Sequence, residues 1–420
     1  MLRVEEKNEP CILKSPAIIL GGDSVNALAV ARNLGKNGIK VFYVAEKRNE
    51  VVFSRYCHKF FQVPSVETSE KVLISFLSGI EGKIEGSVVL FPSSDLFCMN
   101  LAKAKPKLGD RCIFLTARSA IETLVRKRRF YASLDKSGVP HPLTRFPENC
   151  KDVEMIGKTL DYPLLVKPSI SQLFLNLGKG LIVWSKEDLE ARCKLLIKNN
   201  IEFVIQELIP GPPTNLFGLT GYLDRNHNPK GLFAYRRIRE WPIGLGCNSL
   251  IESVPISSVQ ILKEITLGYL KRIGYTGIFE AEFKKDHRDG SFKILEINAR
   301  SWWQNHFPTA CGLNLVMMAY LDAIGAKIEY TEVYRTGVKW VFLYNDLFSS
   351  IQMLRRGQTS PLSWLFSYRN LRDWAYFDAT DPLPWLTWPL LEGPIQFRML
   401  LRKIEKKTSY NKIPQSMRTR

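Results

Sequence analysis

Short apolar runs alternate with helical patterns over the first 115 residues, and this alternation limits the fold more than any other feature of the chain. Apolar residues recur at helical spacing from Ala27 to Leu34, between two of these runs. The runs that read as buried strands cover residues 17–20, 41–44, 88–91 and 112–115. Strands that alternate with helices form parallel sheets. We therefore predict an α/β protein that begins with a Rossmann-like domain.

The turn after the first strand contains Gly21 and Gly22, a pair that is typical of nucleotide-binding turns. The full G-x-G-x-x-G fingerprint is absent, because Ser24 and Asn26 occupy positions within it. We interpret the segment as a tight strand–helix turn in a domain that shapes a neighbouring site, rather than as a dinucleotide site.

The middle of the chain mixes helices with strands that are not regularly alternated. Ser119 and Glu122 form a capping-box pattern that predicts one helix running to Ser137, and Gly138 ends it. Further strands are predicted over residues 164–168, 181–184, 203–207 and 215–237, and a helix over residues 257–274. This pattern predicts an α+β arrangement for the part of the chain that carries the chemistry.

Residues 274–300 predict an antiparallel pair of strands with a loop centred on Asp289. That centre places Glu282 opposite Glu296 and Glu280 opposite Asn298. Because side chains alternate along a strand, the second strand has two faces. We predict Ile294, Glu296, Asn298 and Arg300 on one face, and Leu295, Ile297 and Ala299 on the other.

Carboxylates that face each other across two strands destabilise a sheet unless a positive charge lies between them. Two carboxylates and an amide, without His or Cys, are ligands that favour Mg²⁺. The residues alone leave a second interpretation open, in which this is a solvated polar face with Lys284 and Arg300 as ion partners.

Lysines elsewhere favour the metal interpretation. Lys167 ends an apolar strand, Lys127 lies on an earlier helix, and Lys179 lies between two glycines. Ammonium groups and glycine loops suit nucleotide phosphates. The strand over residues 203–207 continues into residues 208–211, where the backbone could hydrogen-bond a flat base.

In this order of motifs the sequence resembles the ATP-grasp superfamily, and in particular its D-aspartate-ligase-like carboxylate–amine ligases. The resemblance covers residues 17 to about 325 and rests on five motifs in order: Lys-x-x-Phe-Tyr, Leu-Val-Lys-Pro-Ser, a glycine loop, Ile-Gln-Glu-Leu-Ile-Pro-Gly, and Leu-Glu-Ile-Asn-x-Arg. It implies a pre-ATP-grasp Rossmann-like domain (1–115), a two-lobed ATP-grasp domain (116–330; small lobe 139–206, large lobe 207–330) and a C-terminal extension (331–420).

The resemblance also implies roles for single residues. It implies that Lys127, Lys167 and Lys179 contact the ATP phosphates. It also implies that Glu207 and the backbone of Leu208 and Ile209 hold the adenine. It implies that Glu282, Glu296 and Asn298 bind two Mg²⁺ ions, with Mn²⁺ as an alternative. It also implies a catalytic role for Arg300. Two departures stand out: Ala299 replaces a common proline, and the loop 169–180 is poor in glycine.

A substrate carboxylate suits Arg237 and Arg239, which precede a glycine turn that contains Gly246. Surface charge is an equally good interpretation of these arginines. Cys247 has no nearby His, so it is not interpreted as a nucleophile.

The implied activity is ATP-dependent amide formation through an acyl phosphate, on an amino acid or on a cell-wall or polysaccharide precursor. The alternatives are an ATP-grasp enzyme with a non-amine acceptor, or a basic protein that binds nucleic acid or a membrane surface. The formal net charge of +18 motivates the last alternative. The chain offers no nucleic-acid-binding motif, so we expect no nucleic-acid partner.

The charge is concentrated in residues 396–420, where eight Lys or Arg accompany one Glu. We interpret this segment as a solvated tail, with contact to anionic lipid headgroups left open. The eight Cys form no C-x-x-C pair, and no apolar run is long enough to span a membrane. We expect a cytoplasmic enzyme, with membrane-peripheral attachment and a homodimer as further expectations. Hydrophobic residues at 45 % exclude a disordered chain.

Overall fold

The first sheet is parallel and has the strand order β3-β2-β1-β4-β5. The computed structural model describes residues 15–64, 70–80, 84–170 and 180–391. The strands of this sheet are β1 Ala17–Leu20, β2 Val41–Ala45, β3 Cys57–Gln62, β4 Val88–Pro92 and β5 Cys112–Ile113. Its helices are α1 Ser24–Gly35, α2 Glu70–Ser78 and α3 Asp95–Ala104. The chain moves outward from β1 in one direction to β3 and then returns to β4, so β1 and β4 flank the point where the direction reverses.

A smaller antiparallel sheet has the order β6-β9-β7-β8. Its strands are β6 Thr144–Arg145, β7 Leu164–Pro168, β8 Leu181–Val183 and β9 Phe203–Glu207. Its helices are α6 Cys150–Thr159 and α7 Lys186–Lys198. Both helices contribute to one hydrophobic cluster with the sheet, through side chains such as Val153, Leu189 and Val166. Ser185 caps α7 by accepting a hydrogen bond from the backbone N–H of Asp188.

The third sheet has seven strands in the order β14-β13-β10-β11-β12-β15-β16, all antiparallel except for the last pair. They are β10 Leu216–Leu223, β11 Pro229–Trp241, β12 Cys247–Val254, β13 Gly277–Lys285, β14 Phe292–Asn298, β15 Lys339–Val341 and β16 Leu371–Trp374. The remaining helices are α4 Arg118–Val125, α5 Lys127–Ser137, α8 Gln260–Arg272, α9 Phe307–Ala310, α10 Leu315–Ala323, α11 Leu343–Arg355, α12 Pro361–Phe366 and α13 Leu383–Leu391.

The prediction of one helix capped by Ser119 was wrong. Ala117 is the residue before α4, and the helix stops at Arg126, whose backbone is extended (φ −89°, ψ 106°). The break has a tertiary cause, because the backbone N–H of Lys127 donates to Ser169 O (2.9 Å), just past the end of β7. Lys127 thereby becomes the first residue of α5. Gly138 ends α5 in the left-handed conformation (φ 65°), as predicted.

Two hydrophobic clusters join the parallel sheet to the seven-stranded sheet. One contains Leu20 of β1 and Phe279 of β13, and the other contains Ile19 of β1 and Phe233 of β11. Buried apolar contact on this scale fixes the position of β1 relative to the large sheet. None of the described helices has both the length and the apolar character needed to cross a bilayer.

Candidate functional site

A cavity of about 520 Å³ lies where all three sheets meet. Its walls come from β7 and β9 of the small sheet, from β11 to β14 of the large sheet, and from the turns after β1 and β4. This volume lies within the range of small-molecule sites, which is about 300–1,000 Å³. The cavity is therefore large enough for a substrate or cofactor.

The strand pair β13–β14 has the predicted register at its polar end. Glu282 pairs with Glu296 and Glu280 with Asn298, and all four side chains line the cavity. The period of two and the position of the loop were sufficient to predict this juxtaposition.

The predicted faces of β14 were wrong at Ile294 and Leu295. A β-bulge follows Glu282, so Phe283 pairs with Ile294 and Leu295 is the extra residue. Ile294 is fully buried in the core, whereas Leu295 lines the cavity. The bulge is stabilised from outside the hairpin, because the hydroxyl of Tyr131 donates to Leu295 O (2.6 Å). The extra residue thereby becomes part of the site.

Glu280 is the most deeply buried of the three glutamates in this array, with 3 % of its surface exposed. Its carboxylate accepts hydrogen bonds from the hydroxyl of Tyr235 (2.7 Å) and the amide of Asn298 (2.9 Å). Burial, followed by the charges of Glu282 and Glu296, raises the pKa of Glu280. The carboxylates repel one another in a low-dielectric setting, and a bound cation would remove that repulsion.

The array fits Mg²⁺ by the chemistry of its donors. It presents oxygen ligands only, from Glu282, Glu296 and Asn298, with Glu280 beside them. Within the described ranges, no three His, Cys, Asp or Glu side chains are placed to enclose a metal. In proteins Mg²⁺ is commonly held by one or two carboxylates and completed by water and substrate phosphates.

Two of the three predicted phosphate lysines reach the cavity. Lys127, at the start of α5, is 9 % exposed, and Lys167 lies on β7, paired with Val204 of β9. Both line the same space as the carboxylate array. Lys179 belongs to the loop segment 171–179, which lies outside the described residues.

The segment after β9 forms the opposite wall. Glu207, Leu208 and Ile209 all line the cavity. The Glu207 carboxylate accepts hydrogen bonds from Arg288 (2.8 Å), from Lys293 (3.2 Å) and from the backbone N–H of Leu143 (2.9 Å). These bonds tie the end of β9 both to the loop of the β13–β14 hairpin and to the small sheet.

Solved structures with the same arrangement are similar to the chain over most of its length. An L-amino acid ligase from Bacillus licheniformis has a TM-score of 0.60 with 15 % identity, over 78 % of this chain and 79 % of that protein. N5-carboxyaminoimidazole synthetase from Staphylococcus aureus complexed with ADP has a TM-score of 0.62 with 18 % identity, over 77 % of this chain and 80 % of that protein. The chain has the ATP-grasp fold. The fold prediction from the sequence is therefore confirmed.

Sequence comparison finds similarity to a ligase. A D-aspartate ligase from Enterococcus faecium is 25 % identical over 231 residues, which are 52 % of this chain and 54 % of that protein. The chain thus matches about half the length of this curated relative. No family model matches the chain.

The two predicted substrate arginines have different positions in the structure. Arg237 lines the cavity and is held by the side chains of Asn248 (2.5 Å) and Glu240 (2.7 Å). Arg239 lies outside the cavity lining and forms a bidentate ion pair with Asp346 (2.9 and 2.6 Å). On a regular strand, two residues that are two positions apart share a face. A bulge between Arg237 and Arg239, which the sequence does not reveal, interrupts this regular spacing on β11.

Gly246 also lines the cavity, in a turn that leaves no room for a side chain. A Cβ at this position would lie 2.2 Å from Pro242 O and 2.4 Å from the backbone carbon of Trp241. The turn between β11 and β12 therefore requires glycine for steric reasons.

Arg300 lies between the carboxylate array and the parallel sheet. Its guanidinium donates to Asp95 (2.7 Å) and to the side-chain oxygen of Asn298 (3.3 Å). Burial works to lower the pKa of Arg300, but the charges of Asp95 and Asp23 outweigh it and the pKa is raised. The arginine remains a cation at the border of the array.

Sequence reasoning missed Asp23 and Asp95 as members of the site, although both line the cavity. Asp23 follows β1 and Asp95 follows β4, which are paired in parallel. The available signal was topological, because ligands of open parallel sheets bind at the carboxyl ends of strands where the strand order reverses.

Proposed function

We propose that the protein is an ATP-dependent carboxylate–amine ligase. One observation carries the proposal: Lys127, Lys167 and the Glu282–Glu296–Asn298 array line one cavity in an ATP-grasp fold. The charges match a nucleotide triphosphate with bound Mg²⁺, since lysines attract phosphate oxygens and carboxylates hold the metal. The finer predictions of two metal ions, and of Mn²⁺ as a substitute, belong to this proposal.

The proposed reaction has two steps. A substrate carboxylate attacks the γ-phosphate and forms an acyl phosphate and ADP. The amine loses a proton to become the neutral nucleophile and attacks the acyl carbon; the C–N bond forms, the bond from the acyl carbon to the phosphate oxygen breaks, and the phosphate leaves while the nitrogen gives up a second proton. Bound Mg²⁺ supplies charge neutralisation for the transferring phosphoryl group. The residues of this chain position the reactants, and Arg300 stabilises negative charge beside the array.

The backbone of Leu208 and Ile209 would hold the adenine, and Arg237 with Gly246 would face the substrate carboxylate. Arg239 keeps the predicted substrate role only indirectly, because it lies behind that wall. The curated relative acts on D-aspartate by name, so D-aspartate is the first carboxylate to test. Amino acids and cell-wall or polysaccharide precursors complete the proposed substrate class.

The test is an ADP-release assay with D- and L-aspartate, other amino acids and a panel of primary amines. Lys167→Ala and Glu296→Ala should each lower ADP release roughly 10²–10³-fold, because each removes charge stabilisation from phosphoryl transfer. Lys158→Ala is the matched control, since Lys158 lies on α6 with an exposed side chain paired to Glu154. Full activity in both site variants would refute the proposal, and turnover only with thiols or hydroxyls would favour the non-amine alternative.

The remaining predictions concern the domain division, the lipid contact and the homodimer. We propose the division into 1–115, 116–330 and 331–420, noting that β15 and β16 of the last part extend the large sheet. The lipid contact of residues 396–420 lies outside the described residues, and the homodimer stays a prediction.

A further inference from the structure

One end of the cavity is built by the parallel sheet rather than by the two ATP-grasp lobes. Asp23 begins the turn into α1 after β1, and Asp95 is the first residue of α3 after β4. Trp303 and Gln304, which follow the carboxylate strand β14, complete this end. None of these four residues has a role in the proposed phosphate or metal chemistry.

The charge balance of this end favours a cation. Arg300 forms its ion pair with Asp95 (2.7 Å). Asp23 accepts hydrogen bonds from two neutral donors, the indole N–H of Trp303 and the backbone N–H of Asn26. No Lys or Arg of the described chain forms an ion pair with Asp23. Burial raises the pKa of the Asp23 carboxyl, and the hydrogen bond from Trp303 and the charge of Arg300 offset that effect only in part.

Gln304 supplies an independent indication of a ligand. It is 4 % exposed and lines the cavity, yet its side-chain amide makes no hydrogen bond to any residue in the described part of the chain. An amide that lines a cavity without a hydrogen bond to the protein has its donor and acceptor groups available to a bound ligand. An amide can donate to one polar group and accept from another.

Buried amides fix this end of the cavity in place. The Asn26 side chain donates to Ser301 O (2.7 Å) and to Ser93 O (2.9 Å). The Asn305 side chain donates to the Asn26 side chain (2.9 Å) and accepts from Asn33 (3.0 Å). The segment that carries Trp303 and Gln304 is thus locked to α1, which Asp23 caps, so the site is preorganised.

We propose that Asp23 and Gln304, with the indole of Trp303, form the subsite for the ammonium group of the amine substrate. The inference rests on the proposed ligase function. The carboxylate attracts the ammonium, and an aromatic ring stabilises a nearby cation. Gln304 hydrogen-bonds a polar group next to the amine. Arg300 donates to Asn298 of the carboxylate array and to Asp95 at this end of the cavity, so the subsite adjoins the array where the acyl phosphate would form.

The experiment compares two nucleophiles of similar size, methylamine and hydroxylamine, with ATP and the best carboxylate. Near neutral pH methylamine is an ammonium ion and hydroxylamine is uncharged. Asp23→Asn keeps a residue that caps helices well. We expect it to raise the KM for methylamine at least about tenfold, the equivalent of roughly 1.4 kcal/mol. Hydroxamate formation from hydroxylamine should change less than about twofold, since an uncharged nucleophile gains little from Asp23.

The controls separate the possible failures. Gln304→Leu should raise the KM for the best panel amine, and Asp289→Asn, an exposed change in the hairpin loop, should alter neither nucleophile. If Asp23→Asn lowers both reactions equally or changes neither, or if the wild type uses hydroxylamine but not methylamine, the subsite is refuted. If the wild type forms no product with these two nucleophiles or with any amine of the panel, the ligase function itself fails.

Discussion

Arg239 and Asp346 form a buried ion pair behind the wall of the cavity, and its removal gives a sharp test of the structure. Arg239 is 6 % exposed and Asp346 is fully buried. The carboxylate accepts two bonds from the guanidinium (2.9 and 2.6 Å), one from Ser249 (2.9 Å) and one from Tyr368 (2.5 Å). The pair joins β11 to α11, so we expect it to support the fold rather than to bind substrate.

The size of the effect follows from these contacts. Asp346→Leu leaves a guanidinium buried without its counter-charge, which costs about 3–5 kcal/mol. That loss is a large part of the free energy of unfolding of a native protein, which is roughly 5–15 kcal/mol. Asp346→Asn loses the charge and one of the two acceptor oxygens but keeps the other, which can still accept from the guanidinium, so it should cost less than Asp346→Leu. The double variant Arg239→Met/Asp346→Leu removes both charges and should recover part of the loss, about 1–3 kcal/mol.

The measurement is the urea midpoint and Tm of each variant, together with the KM for the carboxylate substrate. Arg192→Met is the control, because Arg192 pairs with Asp188 on an exposed face of α7 and should cost less than about 1 kcal/mol. The reasoning is refuted if Arg239→Met raises the KM strongly while the Tm is unchanged, since Arg239 would then contact substrate as the sequence suggested.

Three further perturbations have defined outcomes. Gly246→Ala should destabilise by about 1–3 kcal/mol and raise the KM for the carboxylate, because its Cβ would overlap Pro242 O; equal kinetics to wild type would contradict this. Hydrogen bonds from Arg288 hold the pKa of Asp286 below its ordinary value of 3.8. Asp286→Asn should therefore be less stable than the wild type above about pH 4, and the difference should disappear in urea titrations at more acidic pH. Mg²⁺ with ADP at 100 times Kd should add about 2.7 kcal/mol of stability, measured as a Tm shift that EDTA and Glu296→Gln abolish.

Local patterns were sufficient to predict the elements that carry their own signals. The strand Phe203–Glu207 was predicted to the residue, because an apolar run ends there at a proline–glycine turn. The pairing of Glu282 with Glu296 followed from alternation and a short loop. Both features depend on residues close in sequence, so no tertiary information was needed.

The features that failed depend on distant partners. The helix break at Arg126 is set by a hydrogen bond to Ser169, and the bulge at Leu295 is supported by Tyr131. Neither partner can be identified from the local sequence. Asp23 was visible only as a turn residue, because its place in the cavity depends on packing between separate sheets. The sequence thus predicted residues of β7, β13 and β14 that line the cavity, and it missed those that follow the strands of the parallel sheet.

The net charge of the chain gives a poor guide to the charge of its site. The sequence suggested that part of the +18 lies where a triphosphate would bind. Among the described residues the cavity has seven acidic side chains and five basic ones: Asp23, Asp95, Glu207, Glu240, Glu280, Glu282 and Glu296 against Lys127, Lys167, Arg237, Lys284 and Arg300. By this count the described walls have more acidic than basic side chains, and burial raises the pKa of two of the acids, Glu280 and Asp23. A triphosphate bound with divalent cations, and an amine that arrives as an ammonium ion, both relieve that excess of negative charge. The same imbalance thus supports both the metal array and the proposed ammonium subsite.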